Sequence, residues 1–121
     1  MADRVTHKVR LSAGKVSMLG ELNDSDTANA IRAALPIQAP ARAWGQEVYF
    51  PIPVTRDEDN AQDAVPSGTL AYWPPGKCFC IFYGQRPASP VNVVGRLLGA
   101  PDEWAKVKEG TEVSIEDADT L

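Results

Sequence analysis

Glu47 and Tyr49 stand two residues apart in the run Trp44-Gly-Gln-Glu-Val-Tyr-Phe50. On a strand, residues i and i+2 share a face, so a carboxylate and a phenol lie side by side. Such a pair can hold an amine or hydroxyl of a ligand, and can do acid–base work if the carboxylate pKa is raised. The competing reading is an ordinary outward pair bonded to Lys77. Tyr72-Trp-Pro-Pro-Gly-Lys77 concentrates aromatics, rigid prolines and one cation. A lip of this composition suits a ligand cleft; otherwise it is a stiff turn whose aromatics plug one end of the fold. Phe82, Tyr83 and Gln85 can border the same region. The expected ligand-binding set is Glu47, Tyr49, Tyr72, Lys77 and Phe82, with a peptide or small molecule as the ligand.

The remaining reactive residues point to no further chemistry. Cys78 and Cys80 share a strand face, but His7 is the only histidine and there is no third cysteine, so a structural zinc site is not expected. Two small apolar core residues are the better description, and a disulfide between i and i+2 on a flat strand would be strained. Whether the face of Cys78, Cys80 and Phe82 is interior or exterior is open at this level. Asp57, Glu58, Asp59 and Asp63 lack the glycine and spaced ligands of a calcium loop and read as a solvated loop. His7 reads as a packed, hydrogen-bonded histidine, and Trp44 and Trp104 as core anchors. Gly14-Lys15 and Gly95-Arg96 carry no phosphate-loop spacing. No metal and no cofactor are expected.

Composition narrows the partners. Net charge is −4 and the pI about 4.9. An acidic surface without a local basic patch repels phosphate backbones, so nucleic acid is not an expected partner. No apolar stretch approaches a membrane span. The start, Met1-Ala-Asp-Arg4, has no secretory apolar region, and two cysteines fit a reducing cytoplasm. The 121 residues suit one domain, residues 1–121, with a core that needs no staples.

The elements that must position these residues are mostly strands. Nine glycines and ten prolines punctuate apolar runs, as in a β protein with many turns. Residues 4–11 alternate strictly, with Val5, His7, Val9 and Leu11 on one face. A turn at Ala13-Gly14 and a strand over 15–22 complete a hairpin. Asn23 to Asp26 offer helix caps, and a short helix over 27–35 buries Ala28, Ile31 and Leu35 before Pro36 stops it. Residues 37–43 read as loop. The strand 44–54 puts Val48, Phe50, Ile52 and Val54 on one face. Pro51 and Pro53 on the other predict an edge or bulged end, which is also the expected surface for any homo-oligomer. A polar loop spans 55–68. Strands follow at 69–73, 77–83, 91–98 and 111–116, with a short helix opened by Pro101. Roughly eight strands and two short helices suggest a mainly β, closed barrel with helices capping its ends.

Three segments carry a family resemblance: Trp44 to Phe50; Leu70-Ala-Tyr-Trp-Pro-Pro-Gly-Lys77 with Phe79 to Gly84; and Ala88-Ser-Pro-Val-Asn-Val-Val-Gly95. Their order and spacing resemble a family of small, uncharacterised bacterial and archaeal proteins with a cyclophilin-like fold, over about residues 4–116. The resemblance implies an eight-stranded barrel with two capping helices and no particular reaction. Val91-Asn-Val-Val-Gly-Arg-Leu97 also resembles a strand of true cyclophilins, as does the following Lys108-Glu-Gly110. The departures fall where cyclophilin catalysis would sit. The strand 44–54 contains no Arg; Arg56 lies beyond it. Val91 stands where the resemblance places a histidine, and no tryptophan lies between Gly84 and Pro90. A binding role without peptidyl-prolyl isomerase activity is therefore expected. The alternative is an enzyme, either a residual isomerase or a different chemistry with Glu47 as base and Lys77 or Tyr49 as electrophilic partner.

Overall fold

A computed structural model describes residues 7–84, 87 and 89–118. Arg4, Val5, Thr6 and Gln85 lie outside the described residues. Strand β1 (His7–Ala13) alternates as its sequence demands, with Val9, Leu11 and Ala13 buried. It pairs antiparallel with β2 (Val16–Leu22) across a turn in which Gly14 has φ +60°. Helix α1 (Asp26–Ala33) follows, capped by Ser25, whose Oγ accepts from the Ala28 amide at 3.2 Å. It buries Thr27, Ala28 and Ile31 and ends short of the expected Leu35.

The chain then forms β3 (Ile37–Pro40) and β4 (Arg42–Trp44), where a loop was expected. β3 pairs with β9 (Glu112–Asp117), and β4 pairs with β5 (Glu47–Pro51). Strands β6 (Thr69–Trp73), β7 (Cys78–Phe82) and β8 (Asn92–Leu97) complete one antiparallel sheet in the order β3-β9-β1-β2-β8-β6-β7-β5-β4. The two edge strands are consecutive and joined by Ala41 alone, so the sheet curls until its edges meet in one chain segment. Ala41 fixes that corner: its amide donates to Thr111 O at 2.7 Å and its carbonyl accepts from Gly110 N at 2.8 Å. Among the described residues the barrel thus has nine strands rather than eight, because the stretch that closes it is split between two partners. Pro- and Ala-rich composition hid it, since strand propensity is weak there and pairing supplies the order.

The interior is filled by Leu11, Leu22, Phe50, Leu70, Tyr72, Phe79, Ile81 and Ile115, all fully buried. Phe50 and Phe79 stack with ring centroids 5.5 Å apart. Trp104, on a 3-10 helix (Pro101–Lys106) rather than an α-helix, is buried as expected, and its Nε1 donates to Met18 Sδ at 3.4 Å. The acidic loop after β5 is not simply solvated. The buried Asn92 side chain donates to Thr27 Oγ1 (3.1 Å) and Asp57 O (3.0 Å) and accepts from Asp59 N (2.9 Å). Asn60 bonds both the amide and the carbonyl of Val93, at 2.8 and 3.1 Å. Asn60 thus satisfies β8 backbone groups past the end of β2, and Asn92 satisfies backbone groups of the loop itself.

Candidate functional site

β5, β6 and β7 are apolar on both faces. Their pairing fixes which residues share a side, because directly opposed residues in antiparallel strands point the same way. Val48 opposes Ile81, and Phe50 and Tyr72 both oppose Phe79, facing the barrel interior. Glu47 opposes Phe82, Tyr49 and Ala71 oppose Cys80, and Trp73 opposes Cys78, facing outward. Ala71, Cys78, Cys80, Phe82 and Val91 form a second, smaller apolar cluster, with Tyr49, Val65 and Trp73 packed on it. The parity of the Cys78–Phe82 strand is thereby settled: Phe79 and Ile81 belong to the main core, and the cysteines and Phe82 to the outer cluster.

A cleft of about 210 Å³ opens on this outer face, lined by Trp44, Glu47, Tyr49, Trp73, Phe82, Pro87, Ser89 and Val91. Its floor is β5 and β7. One side is the β4–β5 hairpin. Gly45 takes the first central position of that two-residue turn with φ +57°, the conformation glycine supplies without steric cost. The turn is the reason the expected strand 44–54 divides: Trp44 lies on β4 and opposes Glu47 across the hairpin. Tyr83 ties the turn down, its amide donating to Gln46 O at 3.0 Å and its hydroxyl to Gly45 O at 3.3 Å. The other side includes Pro87, Ser89 and Val91, and Trp73 Nε1 donates to Ser89 Oγ.

Glu47 gives the cleft its chemistry. Only 8% of the residue is exposed. Burial pushes its carboxyl above the ordinary value of 4.5, and a hydrogen bond from the Cys80 thiol partly offsets that. Cys80 has a second, longer acceptor in Cys78 O at 3.9 Å. Its thiol is held well above its ordinary range by burial first and by the Glu47 carboxylate next. Cys78 is raised by burial, with Arg42 opposing the shift. Both thiols are free. Neither an ion pair nor a cationic hydrogen-bond partner is formed by Glu47 among the described residues. Arg42, which opposes Tyr49, is exposed and does not line the cleft.

Of the five residues expected to bind ligand, three meet here: Glu47, Tyr49 and Phe82. Tyr72 does not. It is fully buried in the barrel, and its hydroxyl donates to Val54 O at 2.6 Å and accepts from Arg56 N at 3.3 Å. The phenol is a fastening for the loop after β5. Lys77 does not join the cleft either. It is exposed, in a left-handed conformation (φ +54°) that ends the Pro74–Gly76 turn, and its carbonyl accepts from Ile52 N. Ile52 is five strand steps from Glu47, roughly 16 Å at about 3.3 Å per residue. Lys77 is thus no partner for the Glu47 carboxylate. Two tryptophans replace them. Trp73 takes the outward side that its neighbour Tyr72 does not, and Trp44, expected in the core, is 49% exposed at the cleft edge. The glycine after Trp44 was the available signal, since a turn there puts Trp44 on an edge strand.

Among the described residues no three His, Cys, Asp or Glu side chains converge as a metal site would need. None of their helices is long and apolar enough to cross a membrane. Pro51 lies beyond the reach of β4, which pairs only Glu47–Tyr49, a position that tolerates a residue without an N–H.

The fold and its site can be set beside known proteins. A family model described as Cyclophilin-like matches residues 7–116. The solution structure of a hypothetical protein from Archaeoglobus fulgidus is similar over 96% of this chain and 98% of that one, with 35% identity and a TM-score of 0.81. The structure of McbB in complex with tryptophan has the same fold over 93% of this chain but 45% of McbB, with 14% identity and a TM-score of 0.74. No protein with a curated description matches the chain. A nearly closed antiparallel barrel, matched along almost its whole length, places this chain in the Cyclophilin-like family.

Proposed function

We propose that the domain is a binding module whose outer cleft takes a small molecule or a single side chain of a peptide. The observation that carries this reading is Glu47: a carboxyl only 8% exposed, set among aromatic side chains, with no cationic partner among the described residues. A buried charge without a counter-charge is costly to keep, and a ligand bearing a donor would add to the one hydrogen bond the Cys80 thiol gives it. The cleft, at about 210 Å³, is below the roughly 300–1,000 Å³ of drug-sized sites. It suits one planar or compact group. Prolyl isomerase activity has no support in the lining, which holds no arginine among the described residues. Arg56 is instead bound to Asp26 at 2.9 Å.

A thermal-shift screen of small aromatic and amine compounds tests the reading, since a ligand that binds only the folded state raises its stability. Tryptophan is one sensible probe, being flat and bearing an ammonium group; McbB was solved with it bound. Hits that shift the wild type but not Trp44→Ala support the cleft. Shifts that survive Trp44→Ala and Glu47→Gln would overturn it.

The second reading, a catalytic Glu47, is favoured by the burial that pushes its carboxyl toward the range useful for a general base. It needs a different electrophilic partner from the one expected, because Lys77 is remote; Tyr49 lines the same cleft and remains available. Turnover of a bound compound that disappears in Glu47→Gln while binding persists would favour catalysis over binding alone.

A further inference from the structure

We infer that the cleft takes an alkylated ammonium group, a cation carried by methylated amines. The inference rests on the binding reading above and names its ligand class. Four of the eight lining residues are aromatic, namely Trp44, Tyr49, Trp73 and Phe82, and the charged one is the carboxyl of Glu47. Aromatic rings attract cations through their quadrupole, and tryptophan does so most strongly. A carboxylate within the same ring of side chains supplies the formal counter-charge.

Other ligand classes fit less well. An anion would meet the Glu47 carboxylate with no cation among the lining residues, since Arg42 stands exposed outside the cleft. A neutral apolar ligand would fill the cleft but remove the remaining water from that carboxyl without compensation. A primary ammonium carries three donors and is strongly hydrated. The acceptors here are few: Glu47, the Tyr49 hydroxyl, and a Ser89 hydroxyl already accepting from Trp73. The other lining side chains, Trp44, Trp73, Phe82, Pro87 and Val91, carry no acceptor. A methylated ammonium has fewer donors to satisfy and presents methyl groups to those side chains. The chain's own cations do not fill the role among the described residues. Arg56, Arg96 and Lys106 are paired with Asp26, Glu21 and Glu103, Lys77 is remote, and Arg42, across from Tyr49 on the same face, is exposed and does not line the cleft. A cleft of about 210 Å³ holds a compact head group and leaves its stem outside, so a free methylated amine and a methylated lysine side chain share the required chemistry.

The test compares choline with 3,3-dimethyl-1-butanol, which replaces the charged nitrogen by carbon at nearly constant shape. Binding is read by the indole NMR signals of Trp44 and Trp73 and by calorimetry. Choline is expected to bind about tenfold or more tightly than the neutral isostere, and Glu47→Gln to bring the two within roughly threefold. Equal binding of both compounds by the wild type would overturn the cation class and leave the cleft reading intact. No shift at either indole with any probe of the Proposed function screen would overturn both. Trp44→Ala, at a half-exposed edge position, checks the site without risk to the core. A peptide bearing trimethyl-lysine forms the second arm. Its binding above that of choline assigns the cation to a protein side chain, and the reverse order assigns it to a free metabolite; either order supports the class.

Discussion

The two faces of β5, β6 and β7 are built from nearly the same residue types, yet they end in different states. The inner face puts Phe50, Tyr72, Phe79 and Ile81, all fully buried, into the main core of a nearly closed barrel. The outer face puts Phe82, Cys78 and Cys80 into a buried cluster whose outermost members, Tyr49 and Trp73, are only half-buried, and leaves a cleft with a carboxyl in it. Apolar patterning alone does not separate a core from a binding surface. What separates them is whether a second layer of the same chain arrives to fill the space. The inner layer is supplied by curvature, because the sheet faces itself.

This contrast can be broken or sharpened by substitution. The largest effect is expected from Phe79→Ala, which empties a fully enclosed site and should cost about 3–5 kcal/mol of unfolding free energy in urea denaturation. Phe82→Ala removes the same atoms from the outer face and should cost clearly less, because the space it leaves joins the cleft and admits water. Equal losses would mean that the outer cluster is a true second core. Tyr72→Phe tests the fastening role of the inward phenol. It leaves Val54 O and Arg56 N without their buried partner and should lower stability by about 1–3 kcal/mol, with cleft binding unchanged.

Glu47→Gln has the smallest effect on the fold and the clearest signature. The folded-state carboxyl titrates above its ordinary value of 4.5. Between those two values the native state binds more protons than the unfolded chain, so stability falls as pH rises through that window. Below it the contribution is fully present, and above the folded-state pKa the loss is complete. A titration of unfolding free energy from acid to neutral pH should therefore show a smaller decline in Glu47→Gln than in the wild type. Parallel curves would remove Glu47 from the list of buried ionisable groups.

Much of the barrel was readable in the chain. The alternation of β1, the Ser25 cap of α1, and the inward set Val48 and Phe50 follow from period and capping chemistry, which are local properties. The closing segment 37–44 was not readable, because its strands are short and owe their form to partners at residues 112–115 and 47–49. At the candidate site, the shared face of Glu47 and Tyr49 was legible from parity along β5, whereas the side taken by Phe82 on β7 needed the pairing between the two strands. Tyr72 and Lys77 were misplaced for two different reasons. For Tyr72-Trp73, adjacent large aromatics on a strand must face opposite ways, and composition does not say which goes inside. For Lys77, nearness in sequence to the aromatics was mistaken for nearness to Glu47, although antiparallel pairing carries it to the far end of β5.

By itself, the sequence determined that strands dominate, where most of them lie, and that a carboxylate and a phenol share a face. These depend on side-chain period, turn residues and caps, each set within a few residues. Only the tertiary structure decided that Glu47 is buried, that Trp44 and Trp73 rather than Tyr72 and Lys77 surround it, and that the cysteines face outward beneath it. Those facts depend on the register between strands and on how far the sheet curls, and register is a relation between distant segments that no local pattern contains.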